Sequence, residues 1–463
     1  ILAKLYGGIA VGGQDGGDGN GDISGIDGGF SIYTRLLYTM QVITTDEAVI
    51  GWNDGTLHEF HKMTWTPANE FNNAMYFRIY TEIAYCNEFI RNTTDAMLSS
   101  NGISGANLDE AKAMRAEAKF LRAQSYYHLL DMYGNVPFVD ETTLGSLPQQ
   151  IMRADLFDYV ETQLKEAEAE LKAPRSNEYG RLDKAAAWSL LARLYLNAKV
   201  YNGTERNADV IANCEKVIGA GYSINPSFAN LFLADNNINN PENIFSIAYD
   251  GARTQTNGGT TYLVCAAIGG SMKPADFGVS GGWGGLRATE AFVNKFEAAD
   301  KRGRFHTDGQ TLEINDLGNF NDGYAYIKYK NVTSTGAPGK DLGRVDTDLP
   351  MYRLADVYLM YAEAVLRGGG GSVDTAIGYV NAIRTRANAS TVSVINLDFI
   401  LDERSRELGW EMTRRTDLIR FGKFTTSAYL WPWKGNVKDG VAVGEYRNLF
   451  PIPNNDLAVN PNL

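Results

Sequence analysis

Between residues 107 and 133 the chain places apolar side chains at steps of three and four: Ala113, Ala116, Phe120, Ala123, Tyr127 and Leu130. That spacing collects them on one stripe of a helix and leaves the charged residues on the opposite face. Asn107, with Glu110 reaching back to it, reads as the start of the helix, and Tyr133-Gly134 with Pro137 beyond reads as its end. A helix this long, with alanines beside tyrosine and leucine, needs other helices packed closely against its stripe. The stripe returns as Trp188, Leu191, Tyr195 and Ala198, and again as Leu354, Tyr358, Tyr361 and Val365. The same periodicity predicts helices over 156–171, 209–218, 375–386 and 399–411.

These blocks read as the helix pairs of a tetratricopeptide-like α-solenoid, although they do not recur at a fixed period. Between 220 and 348 the character changes: Gly, Asn and Thr rise, and the spans 243–249 and 324–329 read as short strands. The expected fold is therefore mainly α, a helical-repeat scaffold carrying a large, loop-rich lobe. The expected division is a helix-pair segment, 1–219, and a segment 220–463 that holds the irregular insertion 220–348 and the C-terminal helices. The Gly- and Asp-rich opening 7–29 and the proline-bearing tail 429–463 both read as irregular.

At 44% hydrophobic and 21% charged residues the chain has the composition of a globular protein, not of a disordered or fibrous one. A net charge of −12 argues against nucleic acid as a partner and favours a neutral ligand. No apolar run approaches the roughly 18 residues of a membrane span. Residues 1–9 are too short and too glycine-broken for a signal peptide, so the expectation is a trimmed chain whose export signal lies upstream of residue 1. The three cysteines, Cys86, Cys214 and Cys265, lack any paired spacing and read as buried free thiols.

Catalytic patterns are weak. His58 and His61 stand in the order His-Glu-Phe-His rather than HExxH, and no GxSxG or Walker loop occurs. Asp18-Gly-Asn-Gly-Asp22 begins like a calcium loop but has Ile23 and Gly29 where that loop needs Gly and Glu. Residues 235–242 form a second oxygen-rich loop. No cofactor is expected, with a structural calcium ion at either loop as the exception considered.

Longer motifs carry a family resemblance. Ala116-Glu-Ala-Lys-Phe-Leu-Arg-Ala-Gln-Ser-Tyr126 runs into Tyr133-Gly-Asn-Val-Pro137. Gly180-Arg-Leu-Asp-Lys184 leads to Ala192-Arg-Leu-Tyr-Leu196, and Tyr352-Arg-Leu-Ala-Asp-Val-Tyr358 to Ala362-Glu-Ala364. Asn381-Ala-Ile-Arg-Thr-Arg386, the set Glu403-Arg404, Glu407-Leu408, Arg415, Asp417-Leu418 and Arg420-Phe-Gly422, and Pro451-Ile-Pro453 follow in order. Together they resemble the SusD/RagB family of outer-membrane glycan-binding lipoproteins. The resemblance implies four tetratricopeptide-like helix pairs with an irregular lobe packed on them. It also implies a lipid anchor upstream of residue 1, exposure at the surface of the outer membrane, and a SusC-like TonB-dependent transporter as partner. The implied activity is binding rather than catalysis, of a neutral glucan or fructan. A RagB-like part in peptide import is the alternative, and a glycoside hydrolase the third reading. The charged motif residues Arg122, Arg193, Arg404, Arg420, Glu117, Glu363 and Glu407 are expected to pair between helices.

Sugar rings are bound by aromatic faces, with planar polar groups on their hydroxyls. Trp52, in Trp52-Asn53-Asp54-Gly55, should stand on a loop, and Trp283, in Gly281-Gly-Trp-Gly-Gly285, has few neighbours to bury it. The founding starch-binding member of the family is similar here. The resemblance places stacking tryptophans at Trp52 and Trp283 and a sugar-gripping arginine at Arg35. Asn53 and Asp54 are candidate hydroxyl partners, and Tyr262 and Cys265 candidate groove residues. A third stacking aromatic of that protein corresponds to Asn257, in a polar loop, which leaves the aromatic cradle incomplete. The expectation is that Trp52 and Trp283 share one groove with Arg35 beside them. Trp188, Trp410, Trp431 and Trp433 are expected to be packing residues.

Overall fold

The computed structural model describes residues 2–17, 21–145 and 147–463. Helices Glu70–Asn92, Ala106–Met132, Arg153–Glu170, Lys184–Leu196, Asn207–Ile218, Leu354–Leu366 and Val373–Arg386 pack in that order, each on the next. Leu397–Leu408 closes the array against Leu354–Leu366. The stripes face inward: Ala116, Phe120 and Leu130 on one helix and Leu156, Phe157, Val160 and Leu164 on its neighbour are 0% exposed. Each such large side chain contributes about 1.5–3 kcal/mol on burial. Side-chain caps start several helices: Asn69, Asp183, Ser372 and Asn396 each accept a backbone N–H of the first turn.

The insertion leaves the scaffold after Ile218 and returns along strand Leu349–Arg353, which pairs antiparallel with Asn243–Ile247. That clasp lets Asn207–Ile218 and Leu354–Leu366 meet directly, so the hydrophobic core is continuous across residue 219. The other strands are two-residue pairs, Val49–Ile50 with Leu286–Arg287, Val136–Pro137 with Gln150–Ile151, and Phe305–His306 with Ala325–Tyr326.

Several sequence expectations need correction. The long helix starts at Ala106, and its N-cap is Gly105 with φ +58, not Asn107. Only glycine adopts that backbone readily, and the carbonyl of Gly105 accepts the N–H of Leu108 at 2.9 Å. Glu110 is turned away to Lys172 at 2.8 Å and Arg181 at 3.3 Å. The opening is not wholly irregular, because Leu2–Ala10 is a helix with Leu5 and Ile9 buried. Helix 399–411 is observed as Leu397–Leu408 and ends at Gly409. The strand expected over 324–329 shrinks to Ala325–Tyr326: Tyr324 makes only an isolated bridge to Ala288, and beyond Tyr326 the Ile327 N–H donates to the carbonyl of Arg304 at 2.7 Å without extending the ladder. The tail holds a short helix, Asn454–Val459. Trp188 lies at the flank of its stripe and is half-buried, its Nε1 donating to Glu168 at 2.6 Å. Trp410 and Trp431 are core residues and the three cysteines are buried free thiols.

The motif charges pair as their burial requires. Arg193 and Arg404 share Asp356, each at 2.8 Å, and Arg420 holds Glu363 at 2.7 Å. Arg353 joins Glu242, Glu407 and Glu411 at 2.6–2.8 Å, linking insertion, strand and C-terminal helix. Removing one partner from such a buried set costs about 3–5 kcal/mol, because the other charge is left without water or counter-ion.

Candidate ligand-binding platform

Trp52 and Trp283 are far apart in sequence and are joined by a sheet of two residues per strand. Ile50 stands opposite Leu286, and the ladder continues with Gly51 N–H donating to the carbonyl of Gly285 at 2.8 Å. The first strand is fixed from beneath. Asp46 pairs with buried Arg414 at 2.7 Å and accepts from the Tyr429 hydroxyl at 2.6 Å. Burial pushes the Asp46 carboxyl up, but the Arg414 guanidinium outweighs it and holds it well below the carboxylate range. Glu47 accepts from Trp410 N–H at 2.9 Å and from Ser405 at 3.0 Å, and burial lifts its carboxyl to about 7.

The second side is built on the end of helix Gly259–Cys265. Trp283 N–H donates to the carbonyl of Cys265 at 2.7 Å, Gly284 to Ile268 at 2.8 Å, and Gly285 to Ala266 at 2.8 Å. Two glycines are required by close approach. A Cβ on Gly282 would lie 2.4 Å from the Ile268 carbonyl oxygen, and one on Gly285 would lie 2.4 Å from Cε2 of Trp52.

The two indoles meet with ring centroids 6.3 Å apart and planes inclined at 46°. Trp52 Nε1 donates to the carbonyl of Trp283 at 3.0 Å, which fixes their relative orientation. Both are half-buried, so part of each ring faces solvent. Arg35, from helix Tyr33–Tyr38, lies among four rings: 4.1 Å from Phe30, 4.5 Å from Tyr262, 5.5 Å from Trp52 and 6.0 Å from Trp283. Its Nη1 donates to the carbonyls of Gly29 at 2.7 Å and Asn257 at 3.2 Å. Burial lowers the guanidinium to about 10, opposed by Tyr262, Asp54 and Asp27, so it stays cationic at neutral pH.

The remaining candidates fall into two layers. Asn53 and Asp54 are exposed at the rim. Tyr262 and Cys265 lie beneath the rings, 1% and 3% exposed, and Tyr262 stands 6.1 Å from Trp52 at 60°. Burial pushes the Cys265 thiol up to about 12, so it is neutral. Asn257 is half-buried and ties its loop to the opening segment, its Nδ2 donating to the carbonyl of Gly17 at 2.7 Å. Sequence reasoning missed Phe30, whose ring lies under Arg35 and edge-on to Trp52, with centroids 6.5 Å apart. It also missed Phe320, which packs against Gly269 and Gly284 on a loop whose carbonyls are gathered by Arg287. A lone aromatic after a Gly- and Asp-rich run was the available signal for Phe30.

Of the calcium loop 18–22, Asp18, Gly19 and Asn20 lie outside the described residues, and Asp22 is paired with Arg78 at 2.6 Å. In 235–242, Asp235 accepts from Ser334 at 2.6 Å, while Glu242 is paired with Arg353 at 2.8 Å and Arg386 at 3.2 Å. Their carboxylates are engaged with protein groups, and no cluster of three metal-ligating side chains occurs among the described residues. No helix among those residues is long and apolar enough to cross a membrane.

Comparison with known proteins agrees with the motif pattern. Residues 308–463 match the SusD family, and residues 33–196 match a family described as starch-binding and associating with the outer membrane. The starch-binding protein SusD of Bacteroides thetaiotaomicron is 33% identical over an alignment covering 100% of this chain and 90% of that protein. A crystal structure of a SusD-like carbohydrate binding protein from Bacteroides fragilis superposes with a TM-score of 0.76 at 20% identity, covering 100% of this chain and 97% of the other. Surface glycan-binding protein A from Bacteroides thetaiotaomicron, in complex with laminarihexaose, superposes with a TM-score of 0.75 at 19% identity over the same shares.

Proposed function

We propose a function from one premise: this chain belongs to the SusD family. The protein binds a neutral glycan, a glucan or a fructan, at the surface of the outer membrane and passes it to a partner TonB-dependent transporter. It is a binding protein and not an enzyme. A lipid anchor holds it at the membrane.

The observation that carries this reading is the pair of half-buried indoles locked by the Trp52 Nε1 bond to the Trp283 carbonyl. Two inclined ring faces 6.3 Å apart suit successive sugar rings along a bent chain. The chain's net charge of −12 favours a polymer without carboxylates or sulfates. Arg35 acts from below: its charge polarises the rings and fixes the loops that carry Gly29 and Asn257. Asn53 and Asp54 are positioned to take hydroxyls at the rim. Where the family's starch binder has a third stacking aromatic, Asn257 offers a polar edge, which widens the choice to other neutral linkages.

Affinity electrophoresis through gels containing amylopectin, dextran, mixed-linkage β-glucan, levan or inulin tests this. Retardation by at least one polymer, abolished in Trp52→Ala, is expected, with no shortened saccharide released on incubation. Unretarded migration in every gel rejects glycan binding, and released oligosaccharide rejects the non-enzymatic reading.

A further inference from the structure

The aromatic surface does not end at Trp283. The next residue, Gly284, has φ +59, and a Cβ there would lie 3.8 Å from Cδ2 and 4.0 Å from Cγ of Phe320. A Cβ on Gly269 would lie 2.8 Å from Cδ1 and Cε1 of the same ring. One side of Phe320 therefore rests on the backbones of two glycines, and one of them follows Trp283 directly, about 3.8 Å on along the chain. Trp283, Gly284 and Phe320 are each partly exposed, and Gly284 has no side chain to stand between the two rings.

The loop that carries Phe320 is held rigidly, and by the same strand pair that joins the indoles. Arg287 stands opposite Val49 in that pair, and its buried guanidinium gathers the carbonyls of Leu317, Asn319 and Asp322. Gln310 Nε2 donates to the carbonyl of Phe320 itself at 2.9 Å. On the side of the other indole, a Cβ on Gly51 would lie 3.0 Å from the Leu317 carbonyl oxygen, so the loop reaches the residue before Trp52 as well. A partly exposed phenyl ring in the otherwise polar run Asn319-Phe-Asn-Asp322 leaves apolar surface in water, and a fixed loop on a rigid scaffold presents it in one orientation.

The charges beside the ring suit a neutral chain. The Asp322 carboxylate accepts the N–H groups of Asn315 at 2.9 Å and Asp316 at 2.8 Å, and the Asn319 amide at 2.7 Å. Asp316 accepts the Gly318 N–H at 2.8 Å. Both carboxylates build the loop, and their charge repels an anionic polymer from this edge while leaving a neutral one unaffected.

We propose that Phe320 is a third stacking ring of the ligand site, so that a saccharide lying on Trp52 and Trp283 continues across Gly284 onto Phe320. The assignment rests on the glycan-binding reading above and adds a preference for chain length to it. Where the polar Asn257 leaves one loop without a stacking ring, loop 315–322 supplies one from another direction. Two sugar units fill the indoles, and a longer chain gains the third face.

Titration calorimetry with the tri- and hexasaccharides of the malto-, laminari- and inulin series tests it, on the wild type, Phe320→Leu, Phe320→Tyr and Trp52→Ala, with thermal melts to show that each is folded. Leucine keeps apolar packing on Gly269 and Gly284 but removes the flat face, and tyrosine keeps the face. Phe320→Leu should weaken the preferred hexasaccharide about tenfold and its trisaccharide less than about threefold, the scale of one aromatic face. Phe320→Tyr should stay within about twofold of the wild type for both, and Trp52→Ala should weaken both. Phe320→Leu binding the hexasaccharide as tightly as the wild type overturns the proposal and leaves the glycan reading intact. So does an equal loss for both saccharides in Phe320→Leu, which would make the ring a support for Trp283 and not a surface for sugar. No uptake of any saccharide by the wild type overturns the glycan reading, and the role of Phe320 with it.

Discussion

Replacing Gly285 with alanine puts a methyl group where Trp52 already stands. The new Cβ would lie 2.4 Å from Cε2, 2.6 Å from Cζ2 and 2.8 Å from Nε1 of that indole. Ordinary contact begins near 3.4 Å, so the ring has to retreat by about 1 Å. The retreat strains the bond from Nε1 to the Trp283 carbonyl, now 3.0 Å, and opens the edge contact with Tyr262. Overpacking of this kind costs about 1–3 kcal/mol, and a lost hydrogen bond about 1 kcal/mol more. The cost falls on the platform and not on the helical scaffold, so Gly285→Ala should stay folded, with a melting temperature lower by several degrees. Displacing an anchor ring should weaken binding by roughly tenfold or more, by analogy with the truncation of buried aromatic anchors. Gly281→Ala, in the same loop, is the control, because its Cβ would meet nothing within 4 Å. Titration calorimetry with the saccharide selected in the gel panel, beside thermal melts of both variants, separates the two effects. A folded Gly285→Ala that binds like Gly281→Ala would refute the view that the relative placement of the two indoles governs recognition.

Arg35→Lys keeps the charge but loses the planar group that lies among four rings and donates to Gly29 and Asn257. It should destabilise the fold by about 1–3 kcal/mol in urea and weaken binding, and a neutral outcome in both assays would show that Arg35 does not organise the platform. Asn69→Ala removes the cap on Asn72 N–H at 2.9 Å and the bond to the carbonyl of Thr56 at 3.1 Å, so about 1–2 kcal/mol of stability should go and proteolysis near residues 53–56 should quicken. Burial raises the Glu363 carboxyl, but the Arg420 guanidinium outweighs it and holds it at about 2. Since that lies below the unfolded value of about 4.3, the pair adds stability above pH of about 4 that is lost as pH falls toward 2. The loss should be roughly 3 kcal/mol, and Glu363→Gln should flatten the fall of the urea midpoint with acid; parallel profiles for variant and wild type would show that another carboxylate sets the acid limit.

The sequence showed what is periodic or locally unusual. The alanine–tyrosine stripes are one-dimensional signals, and the helices that carry them lie within a few residues of where the spacing put them. Trp52 and Trp283 stood out because turn residues and glycines surround them. What holds them together did not, since a strand pair of Val49–Ile50 and Leu286–Arg287 is too short to show alternation. Gly105 took the cap from Asn107 because the turn needed a positive φ, a demand set by the preceding loop rather than by the helix. Trp188 misled because a stripe has edges, and its indole lies at one, near Glu168 and Lys216. Phe30 was hidden for the opposite reason: its segment has no period, and its role exists only where Arg35 and Trp52 reach it. Tyr262 and Cys265 sit on helix Gly259–Cys265, whose seven residues do not tell which face lies under the indoles.

The most direct test of the central claim is a crystal structure of the protein soaked with a short oligosaccharide of whichever polymer retards it. Sugar rings resting on the exposed faces of Trp52 and Trp283, with hydroxyls reaching Asn53 or Asp54, are the expected result. An oligosaccharide bound elsewhere while both indoles stay bare would contradict it.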